Sequence, residues 1–581
     1  MTEGQDEAAA AVPAAGPAGP EPVRVDARKL ESALLALRHP IVSVALPLDA
    51  AGVQDARAER RKLLSQIDDY LLPRLRQPGT PILVALIGST GAGKSTLMNS
   101  LAGRQVSATG IRRPTTNSPV LACHPADMHW FAENIFLPTL PRVRQEGLAM
   151  PGRDGLLVLA ESEGMPRGVA LLDTPDIDSV VQAHRQFAHQ FLDASDLWLF
   201  MTSARRYADA AVWELLQEAR QRGAALSIVL SRVPPVSAPQ LTAHFEALLD
   251  ANGLRGLQRF IIAETVVTDG RLPPEVSGPV RHWLSLTAAQ GDRRVAVLTQ
   301  TMAGVLDTFR TRVPALAAEV QQQLTARAQL RGAAEDAYET ALGELDQATR
   351  NGSLLRGEIL ARWQDFAGAG DLARTLALRG RRSRGQAGKQ AAGLRAQALK
   401  DAISVSMQAL VAATADRAAE SAAYAWQQYP AGRALLSDGK VTGRSSPDLA
   451  RRTAQAIGAW QDHVMHLVQA EHVAKRSIAR LVSFEAESLA LVLTVGMLAG
   501  TGEPEAGEAA RAPHRLLTSL LGASLLRDLD VQARADLRER SGVLFAAEIA
   551  RFAAPADAAG APGETAAAEL CKASQAVESA R

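Results

Sequence analysis

Cysteine is nearly missing from this chain: Cys123 and Cys571 are the only two in 581 residues. They stand far apart in sequence, which excludes a disulfide framework and a cysteine-built zinc site and fits a reducing compartment. An excess of one charge is missing too, because 63 basic and 62 acidic side chains leave a formal net charge of +1. No global field draws the protein toward nucleic acid, so any basic site must be local. Long uncharged apolar runs are absent; none reaches the roughly 18 residues that a membrane-spanning helix needs. Residues 1–24 are rich in Ala, Pro, Gly and Glu, without a basic start or an apolar centre. They read as a disordered tail rather than a signal peptide, and the expected location is cytoplasmic. Length alone allows two or more cores of ordinary domain size.

What is present begins with Gly88-Ser89-Thr90-Gly91-Ala92-Gly93-Lys94-Ser95-Thr96. An apolar, strand-like run from Ile82 leads into it, and a helix-like run ending near Leu101 leads out. Gly88, Gly93, Lys94 and Ser95 have the spacing of a phosphate-binding loop in the context that makes the match specific. Glycines let the backbone turn tightly enough to aim N–H groups at a phosphate chain, and the following helix adds the positive end of its dipole. Lys94 is placed to reach the β and γ phosphates, and the Ser95 hydroxyl to ligate Mg2+. Residues 88–96 are therefore the expected nucleotide-binding loop.

From residue 79 to 275 strand-like and helix-like runs alternate, which predicts an α/β P-loop domain: a mainly parallel sheet with helices on both faces. Expected strands are 82–87, 156–159, 169–172, 197–201, 226–230 and 260–262; expected helices are 94–102, 184–194, 209–222 and 238–251. Ligands of such sheets bind at the carboxyl ends of the strands. One of those ends reads Leu171-Leu172-Asp173-Thr174-Pro175-Asp176, where Asp173 is placed to hold a water of the Mg2+ shell. Between the loop and Asp173 lies the polar segment Gly110 to Pro119. Its Thr115 or Thr116, which the sequence does not distinguish, is expected to close over the γ phosphate and the metal.

The flanks are helical. Residues 25–78 alternate apolar and charged positions and are expected to pack on the C-terminal helices. After Pro273-Pro274 strand signals stop, and 276–552 read as a long all-α bundle or stalk. The basic stretch from Arg379 to Lys389 suits an anionic membrane surface or plain solvent; it has no interleaved aromatic residues, so nucleic acid is not an expected partner. Within 485–529 two apolar arms, starting at Leu489 and reaching Leu521, form a hairpin too short to cross a bilayer. Bundle burial and membrane contact both remain open for it. Residues 553–581 read as a low-complexity tail.

The loop, the Arg112-Arg113-Pro114-Thr115-Thr116 segment and Asp173-Thr174-Pro175 together resemble the first three nucleotide motifs of the bacterial dynamin-like GTPases. The resemblance covers roughly 80–265 and the general layout of a long helical C-terminal half. It implies Mg2+ as cofactor, GTP as substrate, slow hydrolysis stimulated by self-association through the nucleotide domain, and a peripheral place on the inner face of the plasma membrane. Four positions depart from the pattern. Asp176 stands where the family has glycine, Ile177 where many GTPases have a water-orienting glutamine, and Gly91 where a catalytic serine is frequent. At the base-reading strand end, Ser231 and Arg232 stand in for the first two residues, while Pro234 takes the place of the carboxylate. ATP is therefore the alternative substrate, and a nucleotide-binding scaffold or regulator with little turnover is the alternative to a low-turnover GTPase.

Overall fold

Most apolar runs of the nucleotide domain form strands covered on both faces, which is why they read as continuous rather than alternating; the strand at 258–263 is half exposed. The computed structural model describes residues 26–77, 79–89, 91–108, 119–133, 141–144, 156–174, 191–221, 223–368, 386–439, 441–474, 486–499, 508–557 and 562–581. Its strands are β1 (Ile82–Gly88), β2 (Val120–Cys123), β3 (Arg142–Arg144), β4 (Leu157–Glu161), β5 (Val169–Asp173), β6 (Leu197–Ser203), β7 (Ala225–Val233) and β8 (Gln258–Ala263). They form one 8-stranded sheet in the order β3-β4-β2-β5-β1-β6-β7-β8. Neighbours run parallel except β2 and β5, which are antiparallel, with Val120 opposite Asp173.

Helices cover both faces of the sheet. Before β1 come α1 (Ala27–Ser43), α2 (Val53–Ser65), a π-helical turn (Gln66–Leu71) and α3 (Leu72–Arg76). Along the domain follow α4 (Lys94–Ala102), α5 (Met128–Ala132), α6 (Ala210–Gln221), α7 (Ala238–Ala251) and α8 (Pro274–Ala289). The period-2 alternation of a strand divides β1 between the two faces. Ile82, Val84 and Leu86 join Leu97 and Leu101 of α4 and Leu284 of α8, whereas Ala85 and Ile87 join Leu216 of α6 and Phe245 of α7.

The remaining helices are α9 (Gly291–Arg350), α10 (Gly357–Ala367), α11 (Gln386–Trp426), α12 (Pro430–Ser437), α13 (Leu449–Ala474), α14 (Ala486–Ala499), α15 (Glu508–Leu521), α16 (Ala523–Ala556) and α17 (Ala566–Ala580). The chain divides into two units. One contains Met1–Val44, Gln54–Glu319 and Glu564–Arg581; the other contains Ala45–Val53 and Val320–Gly563. The α/β P-loop domain and the long all-α region expected from the sequence are thus both present.

In the helical unit the apolar hairpin arms are core. Leu489, Leu493 and Leu498 of α14 and Leu517 of α15 are each at most 1% exposed, among Trp363, Trp460 and Leu529. Of the two readings of the hairpin, the structure displays bundle burial. Exposing about seven such side chains at roughly 1.5 to 3 kcal/mol each would cost on the order of 10 kcal/mol. Among the described residues no helix is long and apolar enough to cross a membrane. Residues 1–24 and the basic stretch from Arg379 to Arg384 lie outside the described residues.

Two expectations about the flanks need revision. Residues 553–581 do not form a loose tail: α16 runs to Ala556, and α17 buries Leu570, Ser574 and Val577. Those three positions are four and three apart, which places them on one helix face, and α17 lies against α1. Residues 25–78 do not pack as one piece on the helical region either. Only Ala45–Val53 groups with it, through Leu48 beside Leu330, while α1 and α3 group with the nucleotide domain.

The attachment of α3 is a buried ion pair. The Arg74 guanidinium donates to the Asp196 carboxylate at the start of β6, and its Nη1 donates to the Pro81 carbonyl at 3.0 Å. Asp196 Oδ2 also accepts the Leu83 N–H of β1 at 2.7 Å, and its backbone carbonyl accepts the Thr301 hydroxyl of α9 at 2.7 Å. Burial pushes the Asp196 carboxyl above its usual pKa range, against the pull of Arg74 and the Leu83 N–H.

Candidate functional site

The phosphate cradle starts where β1 leaves the sheet. Gly88 has a φ of +151°, and a Cβ there would lie 2.0 Å from the Met201 carbonyl oxygen of β6, so a side chain has no room. Gly91 and Gly93, with φ of +80° and +96°, carry the loop through the left-handed region that glycine occupies without strain. The loop enters α4 at Lys94. Lys94 is buried, and its Nζ donates to the carbonyls of Gly88 at 2.8 Å and Ser89 at 3.3 Å. The ammonium thus lies across the loop whose glycines frame the cradle.

Ser95 and Asp173 meet as the sequence reading requires: Ser95 Oγ donates to Asp173 Oδ2 at 2.6 Å. A residue that the sequence reading did not identify shares this oxygen. Ser107 Oγ donates to it at 2.7 Å, and Ser107 is itself held by Asn99 of α4. Asn99 Oδ1 accepts the N–H groups of Val106 and Ser107, both at 2.9 Å, while its Nδ2 donates to the Ser107 carbonyl at 2.9 Å. An asparagine inside a short helix was the available signal, since Asn is a poor helix former and is seldom buried without polar partners.

Because β2 runs antiparallel to β5, its first residue, Val120, sits opposite Asp173. β2 therefore begins beside Asp173. Thr90, Thr115, Thr116, Asp176 and Ile177 lie outside the described residues. The donor set fits Mg2+: a serine hydroxyl and a carboxylate are hard oxygen ligands, and Mg2+ takes one or two of these plus phosphate oxygens and waters. Among the described residues there is no group of three or more His, Cys, Asp or Glu side chains that would form an all-protein metal cage. Removing the second hydroxyl on Asp173 should loosen this arrangement. Ser107→Ala is expected to raise the Mg2+ concentration for half-maximal triphosphate binding by about 3- to 10-fold, from one lost hydrogen bond worth about 0.5 to 1.5 kcal/mol. A Mg2+ titration at fixed fluorescent nucleotide measures it.

Beyond the cradle, a cavity of about 220 Å³ is lined by Gly93, Thr96, Ser231, Arg232, Glu264 and Thr265, among others. Ser231 is buried, and its hydroxyl donates to the Ala92 carbonyl at 2.7 Å with the Thr202 carbonyl at 3.2 Å, so it tethers the end of β7 to the phosphate loop. Arg232 is exposed at the cavity, with a φ of +54°. A left-handed non-glycine residue costs roughly 1 to 2 kcal/mol, a strain that recurs at ligand sites. Burial pushes the Cys123 thiol of β2 up to about 12, which disfavours the reactive thiolate.

The family model described as a 50S ribosome-binding GTPase matches residues 83–232, from β1 to Arg232 at the end of β7. No protein of curated function matches the chain. Among solved structures, Era in complex with MgGDPNP and nucleotides of 16S ribosomal RNA is 18% identical with a TM-score of 0.24, over 35% of this chain and 56% of its own. Aquifex aeolicus Era bound to GDP.AlF4- is 20% identical with a TM-score of 0.22, over 31% of this chain and 52% of its own. A bacterial dynamin pair described as oligomerised for long-range sensing and tethering of membranes is 10% identical with a TM-score of 0.39, over 95% of each chain. The chain thus spans about half the length of the two Era chains.

Proposed function

We infer that this chain is a Mg2+-dependent GTP-binding protein of dynamin-like organisation, which hydrolyses GTP slowly and uses the nucleotide to control its helical region at a membrane surface. The observation that carries the reading is one continuous site. The glycine cradle with Lys94, the Ser95–Asp173 contact at 2.6 Å and the base-sized cavity ending at Arg232 follow one another around the start of α4. Lys94 binds the terminal phosphates. Ser95 and Asp173 hold the metal, Asp173 through water, and Ser107 keeps Asp173 in place. Mg2+ held there would supply charge neutralisation to the phosphates. Thr115 or Thr116 closes on the γ phosphate. Turnover is slow because Ile177 cannot orient a water and Gly91 brings no hydroxyl. Contact with a membrane through the α14–α15 hairpin requires the bundle core around Trp363 and Trp460 to open, so it belongs to a nucleotide-driven state.

Pro234 and Ile177 favour a second reading, a nucleotide-binding scaffold with little turnover. GTPase activity per molecule, followed over a protein concentration series with and without anionic liposomes, separates the two. A self-stimulated enzyme is expected to gain specific activity with concentration or lipid; a flat, near-zero profile in both series leaves the scaffold.

A further inference from the structure

Guanine and adenine differ in what their Watson–Crick edges offer. Guanine presents two neighbouring donors, N1–H and the N2 amino group, whereas adenine presents an acceptor at N1 beside an amino donor. A protein that selects guanine therefore needs two acceptors side by side, and a carboxylate supplies them. The end of β7 reads Ser231-Arg232-Val233-Pro234 and holds no carboxylate.

The neighbouring strand end does. β7 and β8 run parallel, and after a register shift beyond Leu230, Val233 lies opposite Ala263. The next residue, Glu264, donates its backbone N–H to the Val233 carbonyl at 2.8 Å, which ties it to the residue just before Pro234. Glu264 is exposed and lines the same cavity as Gly93, Thr96, Ser231 and Arg232. Among the described residues its carboxylate makes no ion pair, so both oxygens are open to a ligand.

We propose that Glu264 reads the guanine base, supplying from β8 the paired acceptor that Pro234 removes from β7. This rests on the nucleotide-binding reading above and gives it a base. The carboxylate accepts from N1–H and N2–H, Arg232 lies at the lip of the same cavity, and adenine is rejected because its N1 lone pair would face an anion.

The test uses the full chain with fluorescent GTP, ATP and XTP in the presence of Mg2+. Xanthine keeps the N1–H donor but carries a carbonyl oxygen where guanine has its amino group. A carboxamide, with one acceptor and one donor, matches it. Wild type is expected to prefer GTP over ATP and XTP by about 100-fold or more, as for sites that read a base or hydroxyl by buried hydrogen bonds. Glu264→Gln should lose about 100-fold in GTP affinity and gain XTP binding, while Glu264→Ala should lose GTP without gaining XTP. Wild-type GTP affinity in Glu264→Gln, or a wild type that binds all three triphosphates alike, would overturn the base assignment and leave phosphate binding standing. A wild type that binds no triphosphate would overturn both.

Discussion

Lys94→Ala should weaken triphosphate binding by about 100-fold or more, while the apo protein melts within a few degrees of wild type. In the structure the Lys94 ammonium donates to the carbonyls of its own loop, at Gly88 and Ser89, and is buried in the cradle. Phosphate oxygens are stronger acceptors than these carbonyls, and charge-assisted hydrogen bonds are worth about 1.5 to 3 kcal/mol each. Losing about 3 kcal/mol corresponds to roughly two decades in Kd. Lys94→Arg should not restore affinity, because the planar guanidinium does not fit a cradle shaped around a single ammonium. Titration of both variants with fluorescent GTP measures this; an unchanged Kd in Lys94→Ala would remove the phosphate site from residues 88–96.

Arg74→Met should cause the largest loss of stability, about 3 to 5 kcal/mol, because it leaves the Asp196 carboxylate buried without its counter-charge. At roughly 2 to 4 °C per kcal/mol for a domain of this size, the melting transition of the nucleotide domain should fall by about 6 to 20 °C. The loss should grow with pH. Burial already raises the folded-state pKa of Asp196, and a carboxyl with a raised folded pKa destabilises the fold progressively as pH rises through that value. Adding Asp196→Leu should recover part of the loss, since a buried pair replaced by apolar groups is often tolerated. Recovery should be incomplete, because the Leu83 N–H loses its acceptor at a cost of about 1 to 3 kcal/mol. Thermal unfolding of the single and double variants at pH 6 and pH 8 gives the answer; two single effects that simply add would rule out the pairing.

Most strands that the sequence made visible are buried on both faces; β8, expected at 260–262, is the exception, with Ile261 exposed between buried Phe260 and Ile262. β1, β4, β5, β6 and β7 appear as unbroken apolar runs, and the expected helices at 94–102, 209–222 and 238–251 match α4, α6 and α7 within a residue or so. β2 was missed because its 4 residues follow a polar, proline-bounded segment, and β3 because Arg142 and Arg144 make an edge strand look like a loop. Within the expected all-α region, residues 291–350 form one helix of 60 residues that continues through Pro314. α17 was hidden by its composition. Alanine favours a helix at any position, so a sequence rich in it shows little contrast between faces, and the Leu570–Val577 face is seen only against α1.

In the site, the backbone-determined part was legible and the tertiary part was not. The glycine spacing and the Ser95–Asp173 partnership follow from local motifs with known geometry. Ser107 acts on Asp173 from 66 positions away, through an asparagine whose partners lie in a different loop, and no periodicity records that. Ser231, expected at the base, lines the cavity and also fastens β7 to Ala92, a tether that no local motif records. Glu264 was not legible as a base reader, because its nearness to Pro234 depends on the β7–β8 register.

The burial of Cys123 also makes the protein convenient to label. With that thiol held protonated and covered within the sheet, Cys571 on α17 is the one cysteine position with partial exposure. A single native thiol therefore addresses the α1–α17 helix pair without engineering. A fluorophore or spin probe attached there would report on the α1–α17 pair while nucleotide is exchanged at the carboxyl end of β1.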